Sequence, residues 1–201
     1  MRPAAPFAFD AQRPPSAAGV VACYLDDIGI ASVRLRRSCN FATFSQRMRE
    51  ACGVKPSLRP QCAIGDSFRL VAVGPGSWLA IGGANLFTVL RGSIAESAAL
   101  TDQSSGYIIL RLTGPKVRET FAKLLPIDFH PRAFAVGDAA ATVAAHIGVT
   151  VWRCADDVGG DPTFELACLR SFSVDLVSAL RQAAEQFGFL LVSASTECLR
   201  S

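Results

Sequence analysis

The stretch that decides the fold of this chain is 101–153, which reads TDQSSGYIILRLTGPKVRETFAKLLPIDFHPRAFAVGDAAATVAAHIGVTVWR. Its run Tyr107–Thr113 predicts a strand. Gly114-Pro115 predicts the start of a helix, because proline at the first helical position loses no needed hydrogen bond. Two more strand-like segments follow in 139–153 and join near Gly148. Strands and helices in this succession predict an α+β fold, with antiparallel or mixed sheets and helices packed on a face.

The sequence before this stretch predicts a strand and a capped helix. The segment 28–36 is strand-like, and its apolar residues change phase, which predicts a bulge or a break near Ala31 and Ser32. Apolar residues recur at helical spacing over 41–52, which predicts a helix, and the side chain of Asn40 can cap its start. Gly53 then ends the helix, so both of its ends carry a local signal.

Turn and cap residues mark the remaining elements. Gly74-Pro75-Gly76 predicts the turn of a strand pair, and it fits no phosphate-loop spacing. Ser173 predicts the N-cap of the last helix, and Gly188 predicts its end. The segment 189–192 then predicts a final edge strand.

The sequence predicts an N-terminal arm, one compact body and a C-terminal tail. Four prolines fall within the first fifteen residues, which predicts an extended arm over 1–25 that is either disordered or laid across a partner. The segment 26–193 predicts one compact α+β body, with a possible subdivision near 53–66. A polar tail follows over 194–201, and no tandem sequence repeat is visible.

The composition is apolar for a monomer. Half of the residues are hydrophobic and 18% are charged, which indicates either a surface that a partner covers or a merely alanine-rich chain. No run reaches the roughly 18 to 20 apolar residues that span a bilayer, so we expect no membrane anchor. The net charge of +3 is spread without a basic run, which argues against nucleic-acid binding.

The cysteines indicate neither disulfides nor a metal site. Their number is odd, and they form no CxxC pair and no Cys/His cluster. Buried reduced thiols in a cytoplasmic protein fit this pattern, and the N-terminal prolines interrupt any signal-peptide core. The seven positions are Cys23, Cys39, Cys52, Cys62, Cys154, Cys168 and Cys198.

Three polar groups carry possible chemistry. Asp102 with Ser104 and Ser105 resembles a nucleophile array, but such residues before a strand more often form a turn that satisfies its own backbone. His146 could act as a base, although a lone histidine on an apolar strand is more often a core residue. The segment His130-Pro131-Arg132 could bind an anion, and it more often forms a rigid connector or a partner contact.

Both tryptophans lie inside strand patterns. Trp78 and Trp152 are therefore expected in the core, although tryptophan is also favoured at the centre of protein interfaces. We take Trp78, His130, Arg132 and Trp152 as the candidate partner-contact residues. The aspartates of 155–162 lack the ligand order of a calcium loop, which favours a solvated turn.

A set of motifs in consistent order between 68 and 188 resembles the gamma subunit of heterotetrameric sarcosine oxidase, a family related in fold to the aminomethyltransferases. The motifs are Gly74-Pro75-Gly76-Ser77-Trp78-Leu79, Asp102-Gln103-Ser104-Ser105-Gly106, Arg111-Leu112-Thr113-Gly114-Pro115, Pro126-Ile127-Asp128-Phe129-His130-Pro131-Arg132-Ala133-Phe134, Trp152-Arg153 and Leu169-Arg170-Ser171-Phe172.

The resemblance implies a subunit of a four-chain flavoenzyme in the cytoplasm. In that family the beta chain oxidises an N-methyl amine on FAD and passes electrons through FMN to oxygen. The alpha chain carries NAD and a tetrahydrofolate site that captures the methylene group, and the delta chain holds zinc. The gamma chain contributes no catalytic, cofactor or metal residue and packs mainly on alpha.

The transferase relatives carry a buried carboxylate on the strand that corresponds to 139–153, and this sequence has no Asp or Glu there. An iminium cation needs a nearby negative charge, which an imidazole near its usual pKa of about 6.5 does not supply. This absence argues against transferase activity. A stand-alone folate-binding enzyme or sensor stays as the alternative, and the sequence leaves open which N-methyl amine is oxidised.

Overall fold

The computed structural model describes residues 4–10, 18–65 and 67–193. The predicted polar tail over 194–201 and much of the predicted arm lie outside these ranges. Within them the chain divides into two compact units, and the second interrupts the first. Of the described residues, the first unit contains 4–10, 18–26, 106–136 and 141–193, and the second contains 27–65, 67–105 and 137–140.

The described residues form eleven strands and four α-helices. The strands are β1 (Val20–Tyr24), β2 (Gly29–Leu35), β3 (Cys62–Ile64), β4 (Phe68–Gly74), β5 (Ser77–Gly82), β6 (Ala98–Asp102), β7 (Tyr107–Thr113), β8 (Ala139–Ala144), β9 (Ile147–Arg153), β10 (Thr163–Leu169) and β11 (Phe189–Ser193). The helices are α1 (Phe41–Cys52), α2 (Leu86–Ile94), α3 (Val117–Leu124) and α4 (Ser173–Ala184).

The second unit is a five-stranded antiparallel sheet with two helices. Its strand order is β3-β4-β5-β2-β6. The helices α1 and α2 supply Phe44, Met48, Leu90 and Ile94 to a hydrophobic core, each fully buried, and Trp78 of β5 lies in the same core. Every such side chain removed from water contributes about 1.5–3 kcal/mol, so this core stabilises the unit.

Helix α1 is confirmed as predicted from local sequence. The side chain of Asn40 accepts a hydrogen bond from the backbone N–H of Thr43, and Gly53 ends the helix with a left-handed φ of 65°. Phe44, Met48 and Cys52 are buried on one stripe at helical spacing. The polar cap and the apolar stripe both act within a few residues, which explains why the sequence alone located this helix.

Replacing Asn40 with alanine should lower the free energy of unfolding by about 0.5–2 kcal/mol. The Oδ1 of Asn40 lies 2.8 Å from the backbone nitrogen of Thr43, and this N–H loses its acceptor in the variant. Urea unfolding followed by circular dichroism measures the change, and Asn40→Ser, which keeps a capping oxygen, is the matched control. Equal loss in both variants would contradict the capping role.

The first unit contains a six-stranded mixed sheet of order β11-β1-β7-β10-β9-β8. β1 pairs parallel with β11 and antiparallel with β7. On one face, Phe121 of α3 contacts Phe164 of β10, with ring centroids 5.3 Å apart, and both are fully buried. α4 adds Leu176 and Leu180, also fully buried, so this face forms the helix-covered core of the unit.

The two units share one order of elements. The second runs β2-α1-β3-β4-β5-α2-β6, and the first runs β7-α3-β8-β9-β10-α4-β11 with β1 added between β7 and β11. Both run β-α-β-β-β-α-β, which is the β-α-β-β-α-β succession of ferredoxin-like folds with one strand added between the helices. The repeat lies in topology, which depends on patterns of burial, and this explains why no tandem repeat is visible in the residues themselves.

Several predicted boundaries differ from the structure. The arm predicted over 1–25 contains strand β1, and the body predicted over 26–193 is divided into two units. The possible subdivision near 53–66 falls inside the second unit. These differences share a cause, since β1 and the unit boundary depend on pairings between residues far apart in sequence, which local patterns do not report.

Two local predictions are also corrected. β2 pairs with both neighbours in continuous register and has no bulge at Ala31, because it is buried on both faces over much of its length and its apolar residues need not alternate. Ser173 is the first residue of α4 and donates its hydroxyl to the carbonyl of Arg170, so it is not the N-cap.

Among the described residues, no helix has the length and hydropathy needed to cross a membrane.

Candidate functional site

The hairpin of β8 and β9 covers the segment that lacks a carboxylate. Ala145 and His146 form its turn with φ values of 45° and 71°, which suits a two-residue hairpin turn of the primed type. The turn therefore precedes the predicted junction at Gly148. His146 is exposed, so the prediction of a core histidine was wrong. Its place at a hairpin tip also removes it from the apolar strand environment in which it was considered as a base.

A buried ion pair crosses the sheet of the first unit. Glu165 of β10 lies opposite Arg111 of β7, and the Nε and Nη2 of Arg111 lie 3.0 Å and 2.9 Å from one carboxylate oxygen. Glu165 is fully buried and Arg111 is 8% exposed. A buried carboxylate without a partner costs several kcal/mol, and the guanidinium offsets that cost with charge-assisted hydrogen bonds. The pair is thus neutral as a whole.

The ion pair belongs to a row of side chains on one face of the sheet. Cys23 lies opposite Arg111, and Trp152 lies opposite Glu165, so the row passes through β1, β7, β10 and β9. Trp152 is 1% exposed. The row contains the only fully buried carboxylate in the described part of the chain, and arginine balances its charge.

Sequence reasoning missed this pair. Arg111 and Glu165 each interrupt a strand pattern of otherwise apolar residues, and they carry opposite charges. Two such interruptions predict a cross-strand ion pair when the strands are neighbours. The signal was present in the residues, but the pairing of β7 with β10 was not known.

A second buried cation, Arg153, fixes the turn after β9. Its guanidinium donates to the carbonyls of Cys154 and Thr163 at 2.7 Å and 2.6 Å and forms an ion pair with Asp156. Within the turn, the backbone N–H of Asp161 donates to the carboxylate of Asp157 at 2.7 Å. Asp156 and Asp157 thus support this turn through an ion pair and a backbone hydrogen bond, whereas the sequence predicted only that the aspartates are solvated.

Both candidate interface tryptophans are buried. Trp78 and Trp152 are each 1% exposed. The ring of Trp78 stacks on Phe44 with centroids 5.0 Å apart, and its Nε1 donates to the carbonyl of Ser57 at 2.8 Å. Neither side chain is available at the surface, so we correct their proposed role as partner contacts: both are core residues.

His130 and Arg132 are exposed on a loop that the core holds in place. We call residues 128–134 the anchored loop. Phe129 and Phe134 are buried, and the ring of Phe129 lies 5.0 Å from Phe121 and 5.5 Å from Phe164. The backbone N–H of Arg132 donates to Nδ1 of His130 at 3.2 Å. The loop therefore presents its two basic side chains on a fixed backbone, and their partner-contact role stays a prediction.

Asp102 and Ser104 form the structural turn that was expected. The backbone N–H and the hydroxyl of Ser104 lie 2.9 Å and 2.7 Å from the Asp102 carboxylate. The Ser104 hydroxyl oxygen also accepts from the backbone N–H of Ile30 at 3.0 Å. These bonds tie the turn to β2, and the hydroxyl is engaged in backbone contacts and not poised as a nucleophile.

The described cysteines are free thiols, and within the same residues no group of His, Cys, Asp and Glu could hold a metal ion. Burial raises the pKa of the Cys168 thiol to about 12, although the charge of Arg170 opposes this. Cys168 is therefore protonated at neutral pH and is a poor nucleophile. The six described thiols are Cys23, Cys39, Cys52, Cys62, Cys154 and Cys168.

The second unit contains a cavity of about 400 Å³ between the end of α1 and the start of α2. Its polar lining residues include Arg49 and Glu50 of α1 and Asn85, which directly precedes α2. Glu50 accepts a hydrogen bond from Gln46 at 2.8 Å. Charges of both signs line this opening, which gives it no clear preference for an anion or a cation.

Known proteins share this fold. The chain superimposes on the aminomethyltransferase T of the glycine cleavage system from Bartonella henselae with a TM-score of 0.62, covering 88% of this chain and 48% of that one. At 11% identity the likeness is one of fold alone. A chain of the heterotetrameric sarcosine oxidase from Corynebacterium sp. U-96 matches with a TM-score of 0.72 and 25% identity, covering 86% of this chain and 89% of that one.

Sequence comparison identifies the family within this fold. The model of the sarcosine oxidase gamma subunit family matches residues 41–186. The sarcosine oxidase gamma subunit of Corynebacterium sp. strain P-1 is 33% identical over 118 residues, and that of an Arthrobacter species is 38% identical over 84 residues. These alignments cover 57% and 40% of this chain and 56% and 41% of the relatives, so the match spans about half of their length or less.

The α+β architecture therefore defines a chain of the aminomethyltransferase fold class. The chain belongs to the sarcosine oxidase gamma subunit family. Both the predicted fold class and the predicted resemblance are confirmed.

Proposed function

We propose that this chain is a non-catalytic structural subunit of a cytoplasmic heterotetrameric sarcosine oxidase and that it packs mainly on the alpha chain. The complex would demethylate sarcosine oxidatively to glycine, with formation of hydrogen peroxide and 5,10-methylenetetrahydrofolate. The proposal rests first on membership of the gamma subunit family. The match to a chain of a heterotetrameric enzyme supports the assembly.

The observation that carries the non-catalytic role is the charge balance of the sheet. The strands β8 and β9 bring no carboxylate. Glu165 on the neighbouring strand β10 is held by Arg111 at 2.9 Å. An iminium cation is stabilised by an uncompensated negative charge in a site that excludes water. A carboxylate already paired with a guanidinium offers little of that stabilisation, because the cation would have to compete with the arginine.

The family resemblance leads us to propose that the cofactors lie in other chains. We place FAD and FMN with the beta chain, NAD and tetrahydrofolate with alpha, and zinc with delta. The residues of this chain do not fit a catalytic folate site, since the buried carboxylate is neutralised. What this chain would supply is surface: a folded platform that stabilises the folate-handling chain.

The anchored loop is the part of that surface that we propose for contact. His130 and Arg132 are exposed, while Phe129 and Phe134 hold the loop in the core. A loop that is already ordered loses little conformational entropy when a partner binds. Arginine is also favoured at protein interfaces, because its planar guanidinium forms two parallel hydrogen bonds with a carboxylate.

Co-expression with the alpha chain tests the proposal. We expect tagged alpha to retain this chain and to be recovered in higher soluble yield with it than without it. The double variant His130→Ala/Arg132→Ala should lower retention at least tenfold at an unchanged melting temperature. Arg37→Ala, which removes an exposed arginine of the second unit, is the matched control and should bind as the natural chain does.

Titration calorimetry of the isolated chain with a reduced folate distinguishes a structural subunit from the alternative, a stand-alone folate-binding enzyme or sensor. A structural subunit should give no saturable heat, whereas a stand-alone folate enzyme or sensor should bind. Saturable binding with turnover, or an alpha chain that is indifferent to this subunit, would refute the proposed function.

A further inference from the structure

The last strand of the first unit has an open edge. β11 pairs with β1 on one side, and no other strand of the described residues lies beyond it. Its sequence, Phe-Leu-Leu-Val-Ser, contains neither a charged residue nor proline. Uncharged edge strands are templates for pairing with another chain, and proteins usually protect them with charges, prolines, bulges or a covering segment. β11 itself contains none of the first three.

We call residues 4–10 the strap, and its last residue, Asp10, covers the middle of this edge. The backbone N–H of Asp10 donates to the carbonyl of Leu191 at 2.9 Å, and the Asp10 carboxylate accepts from the N–H of Leu191 at 2.7 Å. In a parallel pair, alternate residues of a strand direct both backbone groups to the same side. Leu191 lies at the middle of β11, and its backbone N–H and carbonyl both point away from β1. Asp10 therefore forms hydrogen bonds with both of these groups.

Charge holds Asp10 at this position. The Nη2 of Arg181 on α4 lies 3.0 Å and 3.1 Å from the two carboxylate oxygens of Asp10. The same guanidinium lies over the ring of Phe189, 5.1 Å from its centroid. One carboxylate thus joins the edge strand to the helix behind it.

Aromatic contacts hold the rest of the strap. The rings of Phe7 and Phe9 lie 5.4 Å and 6.2 Å from the ring of Tyr24 on β1. Arg170 donates to the Tyr24 hydroxyl and to the carbonyl of Ala4, both at 3.3 Å. The strap is therefore held at one end by Arg170, along its middle by Tyr24 of β1, and at Asp10 by β11 and α4.

We propose that the strap is an intrachain guard and that, when it is released, β11 pairs edge to edge with β11 of a second copy of this chain. Edge-to-edge pairing brings identical strands together, so a charge in the strand would repel its own copy. β11 carries none, and nothing in its sequence opposes self-pairing. The guard keeps this surface closed while the chain is outside an assembly.

Hydrogen exchange of the full-length chain tests the guard directly. In Asp10→Ala the amide of Leu191 should exchange at least tenfold faster, while Leu190, which faces β1, should change less. Asp10→Asn keeps an oxygen that can accept from Leu191 and should give an intermediate rate. Asp175→Ala, which removes an exposed carboxylate on α4, is the matched control and should leave the Leu191 rate unchanged.

Analytical ultracentrifugation tests the second copy. As concentration rises, the weight-average mass of Asp10→Ala should exceed that of the natural chain up to twofold, and Asp10→Ala/Arg181→Ala should associate further because the uncompensated charge is gone. Adding Ser193→Pro, which removes the next outward N–H of the edge, should abolish this excess. Unchanged Leu191 exchange, equal masses, or association that persists with Ser193→Pro would each overturn the proposal.

Discussion

Glu165→Ala should lower the free energy of unfolding of the first unit by about 3–5 kcal/mol, because it leaves a buried guanidinium without its carboxylate. Arg111 is 8% exposed, and the Nη2–Oε1 distance of 2.9 Å is that of a charge-assisted hydrogen bond. Without Glu165, the charge on Arg111 has to be hydrated by distorting the sheet or tolerated in place. Denaturant unfolding of the full chain, followed by the fluorescence of its tryptophans, measures the loss.

The double variant Arg111→Met/Glu165→Leu is the matched control. It removes both charges and keeps apolar volume in the row, so we expect it to recover most of the stability lost in Glu165→Ala. Glu165→Gln should lie between the two, because the amide oxygen can still accept from Arg111. A single variant as stable as the natural chain would show that the pair is hydrated and that our electrostatic reading of the site is wrong.

Trp78→Ala should cost about 3–5 kcal/mol of the stability of the second unit, because it leaves a large cavity in a closely packed core. The indole is 1% exposed and stacks on both Phe41 and Phe44, with centroids 6.2 Å and 5.0 Å from its own. It also loses the hydrogen bond to Ser57. Thermal and urea unfolding of the isolated chain should both report the loss.

Trp78→Phe separates packing from hydrogen bonding. It keeps an aromatic ring beside Phe44 and removes the N–H that donates to Ser57, so the cost should be smaller than for alanine. An interface tryptophan would behave differently, with partner binding lost at unchanged stability. If Trp78→Ala weakened the contact with alpha and left the unfolding curve in place, the burial assigned to this residue would be contradicted.

The elements that sequence located are those whose signals are local. Asn40 and Gly53 bound α1 within thirteen residues of each other, and the Gly74-Pro75-Gly76 turn lies between two strands that pair directly. A hydrogen-bonded cap, an apolar stripe or a turn residue acts over a few positions, and a reader of the sequence sees all of its parts together.

The elements that sequence missed depend on distant partners. β1 takes its place only because β7 and β11 lie on its two sides, with Ala22 opposite Leu112 and Leu191. The prolines that precede β1 in the sequence favoured the prediction of an extended arm instead of a strand. The division into two units has the same origin, since it follows from which strands pair and not from any linker composition.

The features of the candidate site also differ in whether local sequence predicts them. The absence of a carboxylate in 139–153 was readable from residues alone, and so was the turn at Asp102. The ion pair was not, because Arg111 and Glu165 are separated by 54 positions and become neighbours only when β10 pairs with β7. Exposure of His146 depended on where the hairpin turned, which two residues with positive φ decided.

The interruption of the first unit by the second has a consequence for synthesis on the ribosome. Apart from 137–140, the second unit is one continuous stretch over 27–105, so most of its contacts are available soon after that stretch emerges. β1 emerges earlier but must wait for β7 and then for β11, the last strand among the described residues. Until β11 has emerged, the nascent first unit holds a strand with one unpaired edge, so we expect this unit to depend more on chaperones than the second.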